Sequence, residues 1–237
     1  MIDEQTGKRS PGPRISGARA AGVLAGLGPG LLVMDVDSTL IEQETIDLLA
    51  EHAGAGERVA EITARAMRGE LGFAASLRER VATLAGSPQE ILSEVRHELR
   101  LTPGARDLIG SMHVRGCRVG IVSGGFEELV TPLARRLEVD HVAANRLEVS
   151  DGVFTGRVLG RIVDREEKVR CLRAWAEADG VPVERTVAVG DGANDLDMIA
   201  AAGLGVAFCA KPVVVEQADA AVHVRDLRAV LDLLLKR

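Results

Sequence analysis

The chain has 237 residues, of which 46% are hydrophobic and 27% charged, and its formal net charge is -6. This composition argues against a disordered chain and is sufficient for one domain, or for one domain that carries an insertion. The negative charge gives no reason to expect a nucleic-acid or membrane partner, and no apolar run is long enough for a membrane span. Three widely separated cysteines and five scattered histidines suggest neither disulfides nor zinc, so we expect a cytoplasmic protein with reduced thiols.

The N-terminal part of the chain divides into three segments. Residues 1–30 are rich in Gly, Ala, Pro and Arg without a period, and we interpret them as a flexible tail. The short apolar run LLVM follows and predicts a buried strand, which ends at Asp35 and Asp37. From residue 44 to 100 the apolar residues recur every three or four positions, which predicts several helices and no strand.

The rest of the chain alternates between strand and helix patterns. The runs CRVGIV, RTVAV, GLGVAF and AAVHV are short and rich in β-branched residues, and most precede a helical segment. The stretch NRLEVSDGVFTGRVLG predicts a hairpin that turns at Asp151-Gly152. The predicted fold is therefore α/β, with an open parallel sheet formed by residues 31–43 and 101–237 and a helical cap at 44–100, inserted after the first strand.

Polar residues follow three of the predicted strands. They are Asp35 and Asp37, then Ser123-Gly124-Gly125, and finally the run from Asp191 to Asp195. Each group alone is compatible with ordinary turn or helix-cap chemistry. Because the ligand crevice of an open α/β sheet lies at the carboxyl ends of its strands, we expect the groups to converge there. Several carboxylates at one edge require protons or a cation, and an all-oxygen site favours magnesium over zinc.

The same edge has the residues expected for phosphate binding. Ser123 offers a hydroxyl, and two glycines allow backbone N–H groups to approach an anion where the next helix begins. Lys168 is a candidate for a further positive charge, although spacing alone favours a solvated lysine paired with Asp164 or Glu166.

The spacing of the two aspartates indicates hydrolysis of a phosphomonoester. A carboxylate at position 35 can attack phosphorus to form an acyl phosphate, which divides a slow reaction into two steps. Residues two apart in an extended segment point the same way, so Asp37 can protonate the leaving group and later activate water.

The motifs DVDST, SGG, a later lysine and GDGAND resemble the four motifs of the haloacid dehalogenase (HAD) superfamily. From Leu31 to Leu231 the chain is similar to the members that hydrolyse phosphoserine. The resemblance implies a HAD-like Rossmannoid core and magnesium-dependent conversion of O-phospho-L-serine to L-serine and phosphate through a phosphoaspartate, the last step of serine biosynthesis. The expected partner is thus a small phosphorylated amino acid, with monomer and homodimer both left open.

The resemblance also assigns roles to residues. It implies a nucleophile at Asp35, a general acid/base at Asp37, and one Mg²⁺ held by Asp35, Asp191 and the backbone carbonyl of Asp37. The substrate-binding and supporting positions that it implies are Ser123, Gly124 and Lys168 for phosphate, Glu44 for the amino group, Arg80 for the carboxylate, and Asn194 and Asp195 around the metal and phosphate.

The cap residues also have simpler interpretations. Phe73, Leu77 and Arg80 share one helical face that could roof the pocket, whereas a lone arginine there is more often a surface residue. Met67 and Phe73 are expected as pocket lining, with ordinary cap core as the alternative, and Glu44 alone could merely favour a helix N-terminus.

Two further functions are kept as alternatives. One is a phosphatase for another small phosphomonoester, such as phosphohomoserine or phosphothreonine, since only the cap separates these substrates. The other is a non-enzymatic phosphate-binding regulator, against which Asp37 argues because a pure binder needs no second carboxylate.

Overall fold

The computed structural model describes residues 15–16 and 28–235. Most of the expected tail at residues 1–30 lies outside the described residues. Within it, however, Ile15–Ser16 forms a short strand that pairs antiparallel with residues 221–222 at one edge of the sheet. The sequence pattern did not indicate this strand.

A single eight-stranded sheet forms the centre of the described molecule, in the order β1-β8-β7-β6-β2-β3-β4-β5. All neighbours from β8 to β4 run parallel, and β1–β8 and β4–β5 are antiparallel, which confirms the predicted mostly parallel sheet. The strands are β1 (Ile15–Ser16), β2 (Leu31–Met34), β3 (Arg118–Phe126), β4 (His141–Ser150), β5 (Val153–Leu159), β6 (Thr186–Gly190), β7 (Leu204–Phe208) and β8 (Ala220–Val222).

Helices cover both faces of the sheet and fill the insertion after β2. They are α1 (Thr45–His52), α2 (Gly56–Met67), α3 (Phe73–Ala82), α4 (Ile91–Glu98), α5 (Ala105–Val114), α6 (Glu127–Arg136), α7 (Arg165–Ala178), α8 (Leu196–Ala201), α9 (Pro212–Gln217) and α10 (Arg228–Leu235). Residues 44–100 are all described, and they contain helices but no strand, as predicted. Among the described helices, none is long and apolar enough to cross a membrane.

The apolar side chains form three clusters. Alternate residues of β2 point to opposite faces, so Leu32 and Met34 pack with α5, α6 and α10, whereas Leu31 and Val33 pack with α7 and α8. This double burial explains why β2 reads as a continuous apolar run. A third cluster joins α1–α4 to Phe126 at the end of β3 and to Phe154 in the β4–β5 hairpin.

Two sequence predictions concern the ends of strands. The predicted hairpin turn is confirmed at Asp151 and Gly152, whose φ angles are 52° and 79°, as a type I′ turn requires. The sequence predicts that the second strand ends in Ser123-Gly124-Gly125, and β3 ends one residue later, at Phe126. Its register with β4 shifts between Val122 and Phe126, which takes the Ser-Gly-Gly backbone out of the regular ladder.

The chain enters and leaves the helical insertion through two adjacent segments. Ile41 and Leu101 form an antiparallel bridge, and the Glu42 N–H donates to the Arg100 carbonyl at 3.0 Å. The Gln43 side chain donates to the Glu98 carbonyl and accepts from the Arg100 N–H, both at 3.0 Å. The two connections are therefore tied to each other.

Candidate active site

A cavity of about 710 Å³ lies between the carboxyl ends of β2, β3 and β6 and helices α1–α3. The three polar groups found in the sequence thus converge, as expected for an open α/β sheet. Nine of the predicted site residues line this cavity: Asp35, Asp37, Glu44, Met67, Phe73, Arg80, Gly124, Asp191 and Asn194. The other three, Ser123, Lys168 and Asp195, are fully buried at 0% exposure beneath it.

Asp35 is held rigidly at the end of β2. Its backbone N–H donates to the Val189 carbonyl of β6 at 2.9 Å, which continues the ladder between the two strands. The chain then turns tightly through Val36–Leu40, where Ser38 adopts φ 57° and the Ile41 N–H bonds the Val36 carbonyl at 2.9 Å. This turn keeps both aspartates at the edge of the cavity.

Lys168 is buried between two carboxylates. Its Nζ lies 2.5 Å from Asp35 Oδ1 and 2.6 Å from Asp195 Oδ1. The interpretation of Lys168 as a solvated residue, which the spacing favoured, is therefore wrong, because α7 directs this side chain inward. Burial alone would lower the pKa of Lys168, but the charges of Asp195 and Asp35 outweigh burial and raise the pKa above its ordinary value.

Asp35, Asp191 and Asp195 form a compact carboxylate cluster, with one oxygen from each within 4.8 Å of the others. Burial and then the charge of Asp195 raise the pKa of Asp35 well above its usual range, despite the opposing effect of Lys168. Burial and then Asp195 also raise the pKa of Asp191, to about 6. A divalent cation would relieve this repulsion, and the all-oxygen donor set fits magnesium.

Asp195 differs from its two neighbours because hydrogen bonds occupy both of its oxygens. Oδ1 accepts from Lys168, and Oδ2 accepts from the Gly192 N–H at 3.0 Å. This pattern suits a residue that supports the loop and the lysine.

Asp37 has a different environment from Asp35. Burial, followed by the charge of Glu44, raises the pKa of Asp37 to about 8. Its Oδ2 accepts a hydrogen bond from the Thr45 hydroxyl at 3.0 Å. Its Oδ1 has no partner among the described residues. Asp37 can therefore be protonated near neutral pH, with one oxygen still available.

The Ser123-Gly124-Gly125 segment forms a braced loop. The Gly125 N–H donates to Ser123 Oγ at 2.8 Å. The Gly124 carbonyl accepts from Asn145 Nδ2 at 2.8 Å, and Asn145 Oδ1 accepts from the Val163 N–H at 2.8 Å. Asn145 thus links this loop to the segment before α7. We did not identify Asn145 from the sequence, where a lone asparagine in a strand pattern carries no signal.

Glycine is required at position 125 because the side chains opposite it are very close. A Cβ there would overlap Thr45 Oγ1 and would lie 2.8 Å from Asp37 Oδ2 and 3.0 Å from Ser123 Oγ. The loop can therefore contact both Asp37 and the first turn of α1 only without a side chain at this position.

The cap supplies groups of both charges. Glu44 is exposed just before α1 and accepts from the Ser38 hydroxyl at 2.7 Å. Arg80 is half-buried on α3, and burial lowers its pKa against the opposing charges of Asp47, Glu44 and Asp37. The simple surface interpretation of Arg80 is therefore wrong, since it lines the cavity.

The insertion also supplies apolar lining, from α1, α2 and α3. Phe73 packs with the cap cluster and also faces Gly124, where an added Cβ would lie 2.8 Å from the ring. Met67 is 71% exposed, so its alternative assignment to the cap core is wrong. Other lining residues that the sequence analysis did not identify are Asp47, Thr63, Ser76, Arg165 and Lys211. In the sequence, these residues have the spacing of ordinary helix and loop residues, so no signal marked them as part of a site.

Comparison with known proteins gives a consistent result. The family model for haloacid dehalogenase-like hydrolases matches residues 32–200. The chain is 53% identical to a phosphoserine phosphatase of Streptococcus thermophilus over 86% of its own length and 95% of that protein. It is 57% identical to a phosphoserine phosphatase of Streptomyces coelicolor over 92% of its length, and spans 54% of that longer protein.

A solved structure of a phospho-aspartyl intermediate analogue of phosphoserine phosphatase matches with a TM-score of 0.82 at 43% identity, covering 86% of this chain and 98% of the other. Family model, sequence and three-dimensional structure thus agree. The chain belongs to the haloacid dehalogenase-like hydrolase family and, within it, to the phosphoserine phosphatases.

Proposed function

We propose that this chain is a magnesium-dependent phosphatase that hydrolyses O-phospho-L-serine to L-serine and phosphate through a phosphoaspartate on Asp35. The observation that carries the proposal is the contrast between two adjacent carboxyl groups. Burial raises the pKa of both groups, but Asp35 contacts the Lys168 ammonium at 2.5 Å, which opposes that rise, whereas Asp37 accepts from the neutral Thr45 hydroxyl and its Oδ1 has no partner among the described residues. Two carboxyl groups in such different environments suit a nucleophile and a general acid.

The first step transfers the phosphoryl group to the enzyme. An oxygen of Asp35 forms a bond to phosphorus while the bond from phosphorus to the serine oxygen breaks. That oxygen keeps the electron pair and takes the proton of Asp37, so serine leaves as a neutral alcohol. Lys168 offsets the repulsion between Asp35 and the incoming phosphate.

The second step returns the enzyme to its starting state. Asp37, now a carboxylate, takes a proton from water as the water oxygen attacks phosphorus. The bond between phosphorus and Asp35 breaks, inorganic phosphate leaves, and both carboxyl groups regain their original forms.

Three ligands would hold one Mg²⁺: the carboxylates of Asp35 and Asp191 and the backbone carbonyl of Asp37. The proximity of the Asp35 and Asp191 oxygens and the raised pKa of both groups support this assignment. When bound, the ion supplies positive charge that polarises the phosphoryl group. Asp195 is assigned a supporting role.

Recognition of the phosphate is assigned to Ser123, Gly124, Lys168 and Asn194. Recognition of the amino-acid end is assigned to two cap residues, with Glu44 binding the ammonium and Arg80 binding the carboxylate. The names of the similar proteins support phosphoserine as the substrate. The free cysteines Cys117, Cys171 and Cys209 fit a cytoplasmic, reducing compartment.

A panel of phosphorylated amino acids tests the substrate. We expect the wild-type protein to prefer phosphoserine over phosphothreonine and phosphohomoserine, and Asp35→Asn to release no phosphate. Arg80→Ala and Glu44→Gln should each reduce kcat/KM for phosphoserine by roughly 10- to 100-fold, since each leaves a charged substrate group unpaired. Arg78→Ala is the matched control for Arg80→Ala, because Arg78 lies on the exposed face of the same helix, α3, and it should resemble wild type. Unchanged turnover in both cap variants would contradict the assignment to an amino-acid substrate.

A further inference from the structure

Thr45 is a fully buried residue in the first turn of α1, and its hydroxyl lies against Asp37. Its exposure is 0%, and its Oγ1 donates to Asp37 Oδ2 at 3.0 Å. It directly follows Glu44, which lines the cavity. A threonine at a helix start ordinarily satisfies a backbone group, whereas this hydroxyl is directed across the chain to a carboxyl group of the site.

The contact distinguishes the two oxygens of Asp37. Because the Thr45 hydroxyl donates to Oδ2, that oxygen acts as an acceptor, and the acid proton belongs on Oδ1. Oδ1 has no hydrogen-bond partner among the described residues. The glycine at position 125 leaves space for this pair, since a Cβ there would overlap Thr45 Oγ1.

We infer that Thr45 is a positioning residue, which holds Asp37 with Oδ1 directed to the leaving oxygen of the substrate. This inference rests on the proposed function, because it requires Asp37 to be the proton donor. It makes α1 of the cap responsible for orienting the acid of the core. It also implies that in the first step, which kcat/KM reports, Thr45 assists only those substrates whose leaving group must be protonated.

A comparison of leaving groups tests the inference. The alkoxide of phosphoserine is strongly basic and needs the proton, whereas the phenolate from p-nitrophenyl phosphate leaves without one. We expect Thr45→Val to reduce kcat/KM for phosphoserine by about 10- to 100-fold and kcat/KM for p-nitrophenyl phosphate by less than about threefold. Thr45→Ser keeps the hydroxyl and should restore most of the phosphoserine activity.

Thr186→Val is the matched control. Thr186 is equally buried but lies at the opposite end of β6, where it donates to the Val183 carbonyl at 2.7 Å and accepts from the Gly203 N–H at 3.1 Å. This variant should leave the ratio of the two activities unchanged. If Thr45→Val folds poorly, Thr45→Ala serves, because the ratio within one preparation does not depend on the folded fraction.

Two results would overturn the inference: an equal loss on both substrates, which indicates a merely structural hydroxyl, or no loss on either. A wild-type protein that releases phosphate from p-nitrophenyl phosphate but not from phosphoserine would instead contradict the proposed function. The leaving-group comparison is then made with the alkyl phosphate that the protein does hydrolyse.

Discussion

At the scale of single residues, the most unusual group is the buried ammonium of Lys168. It lies between Asp35 and Asp195, all three are nearly or fully inaccessible, and two negative charges face one positive charge. Removing charges from water is costly, and the contacts repay that cost only while the partners remain together. Lys168 therefore favours the ionised form of Asp35 against the opposing effects of burial and Asp195, and the buried contacts also contribute to folding.

Replacement of this lysine tests both contributions. Lys168→Met leaves two buried carboxylates without a cation, so we expect the free energy of unfolding in urea with chelator to fall by about 3–5 kcal/mol at pH 7. Asp195→Asn in the same chain removes one of the two charges and should recover part of the loss. If Lys168→Met alone is as stable as wild type, the interpretation that Lys168 stabilises the fold through Asp35 and Asp195 is contradicted.

The sequence predicted the residues of this site unevenly. Asp35, Asp37, Ser123 and Asp191 followed from where strands end, since parallel strands deliver such residues to one edge. Only the family resemblance placed Lys168 in the site, because periodicity does not show which side of a helix start faces the sheet. Thr45 was missed for a similar reason: its contact with Asp37 depends on how α1 packs.

At the scale of secondary-structure elements, His52 joins two helices of the cap. Its Nδ1 lies 2.9 Å from Glu94 and its Nε2 2.7 Å from Glu98, so the end of α1 is tied to α4. The hydrogen bond to Glu98 is the main cause that raises the pKa of His52 above its ordinary value of 6.5, against the opposing effect of burial.

The His52 contact predicts a pH dependence of stability. A histidine whose folded pKa is raised stabilises the protein in full below its unfolded pKa of 6.5, and the stabilisation is lost as pH rises through the higher folded pKa. Between pH 6 and pH 8.5, we expect the free energy of unfolding to decrease more in wild type than in His52→Gln. The difference between the two decreases should be below about 1 kcal/mol, because the pair is partly exposed. Identical pH slopes in the two proteins would contradict this prediction.

Element types were easier to predict than element ends. Alternation around Asp151-Gly152 indicated the hairpin because glycine suits the positive φ of the turn. The end of β3 lies one residue beyond the predicted Ser-Gly-Gly, which is typical of turns and here forms an irregular part of the strand whose register shifts. The strand at Ile15–Ser16 has only two residues, too few to show any period.

At the scale of the whole molecule, the fold concentrates negative charge at one edge of its sheet. Burial and Asp195 hold the pKa of Asp191 at about 6, above its usual 3.8, so its ionised form destabilises the folded protein when no metal is bound. Asp191 and Asp195 both follow β6, and because β2 is its neighbour in the sheet, Asp35 joins them at the same edge.

Metal removal tests this consequence. With chelator at pH 7.5, we expect Asp191→Asn to raise the free energy of unfolding by about 1–3 kcal/mol, because it removes a repelled carboxylate. Added Mg²⁺ should stabilise wild type and should stabilise the variant much less, since a ligand bound only to the folded state shifts the equilibrium. Chelation should also abolish phosphate release, and activity that survives it would contradict the metal assignment.

The paired connections of the insertion have a consequence for how this architecture can diversify. Because Ile41 and Leu101 are bridge partners, the 59 or so residues between them start and finish at one point of the sheet's rim. A different helical segment joined at the same two positions would keep the pairings among β1–β8 and would lose only the bridge between Pro88 and Val153. The insertion can therefore vary without rethreading the sheet, provided that a replacement for α1 still supplies a hydroxyl in contact with Asp37.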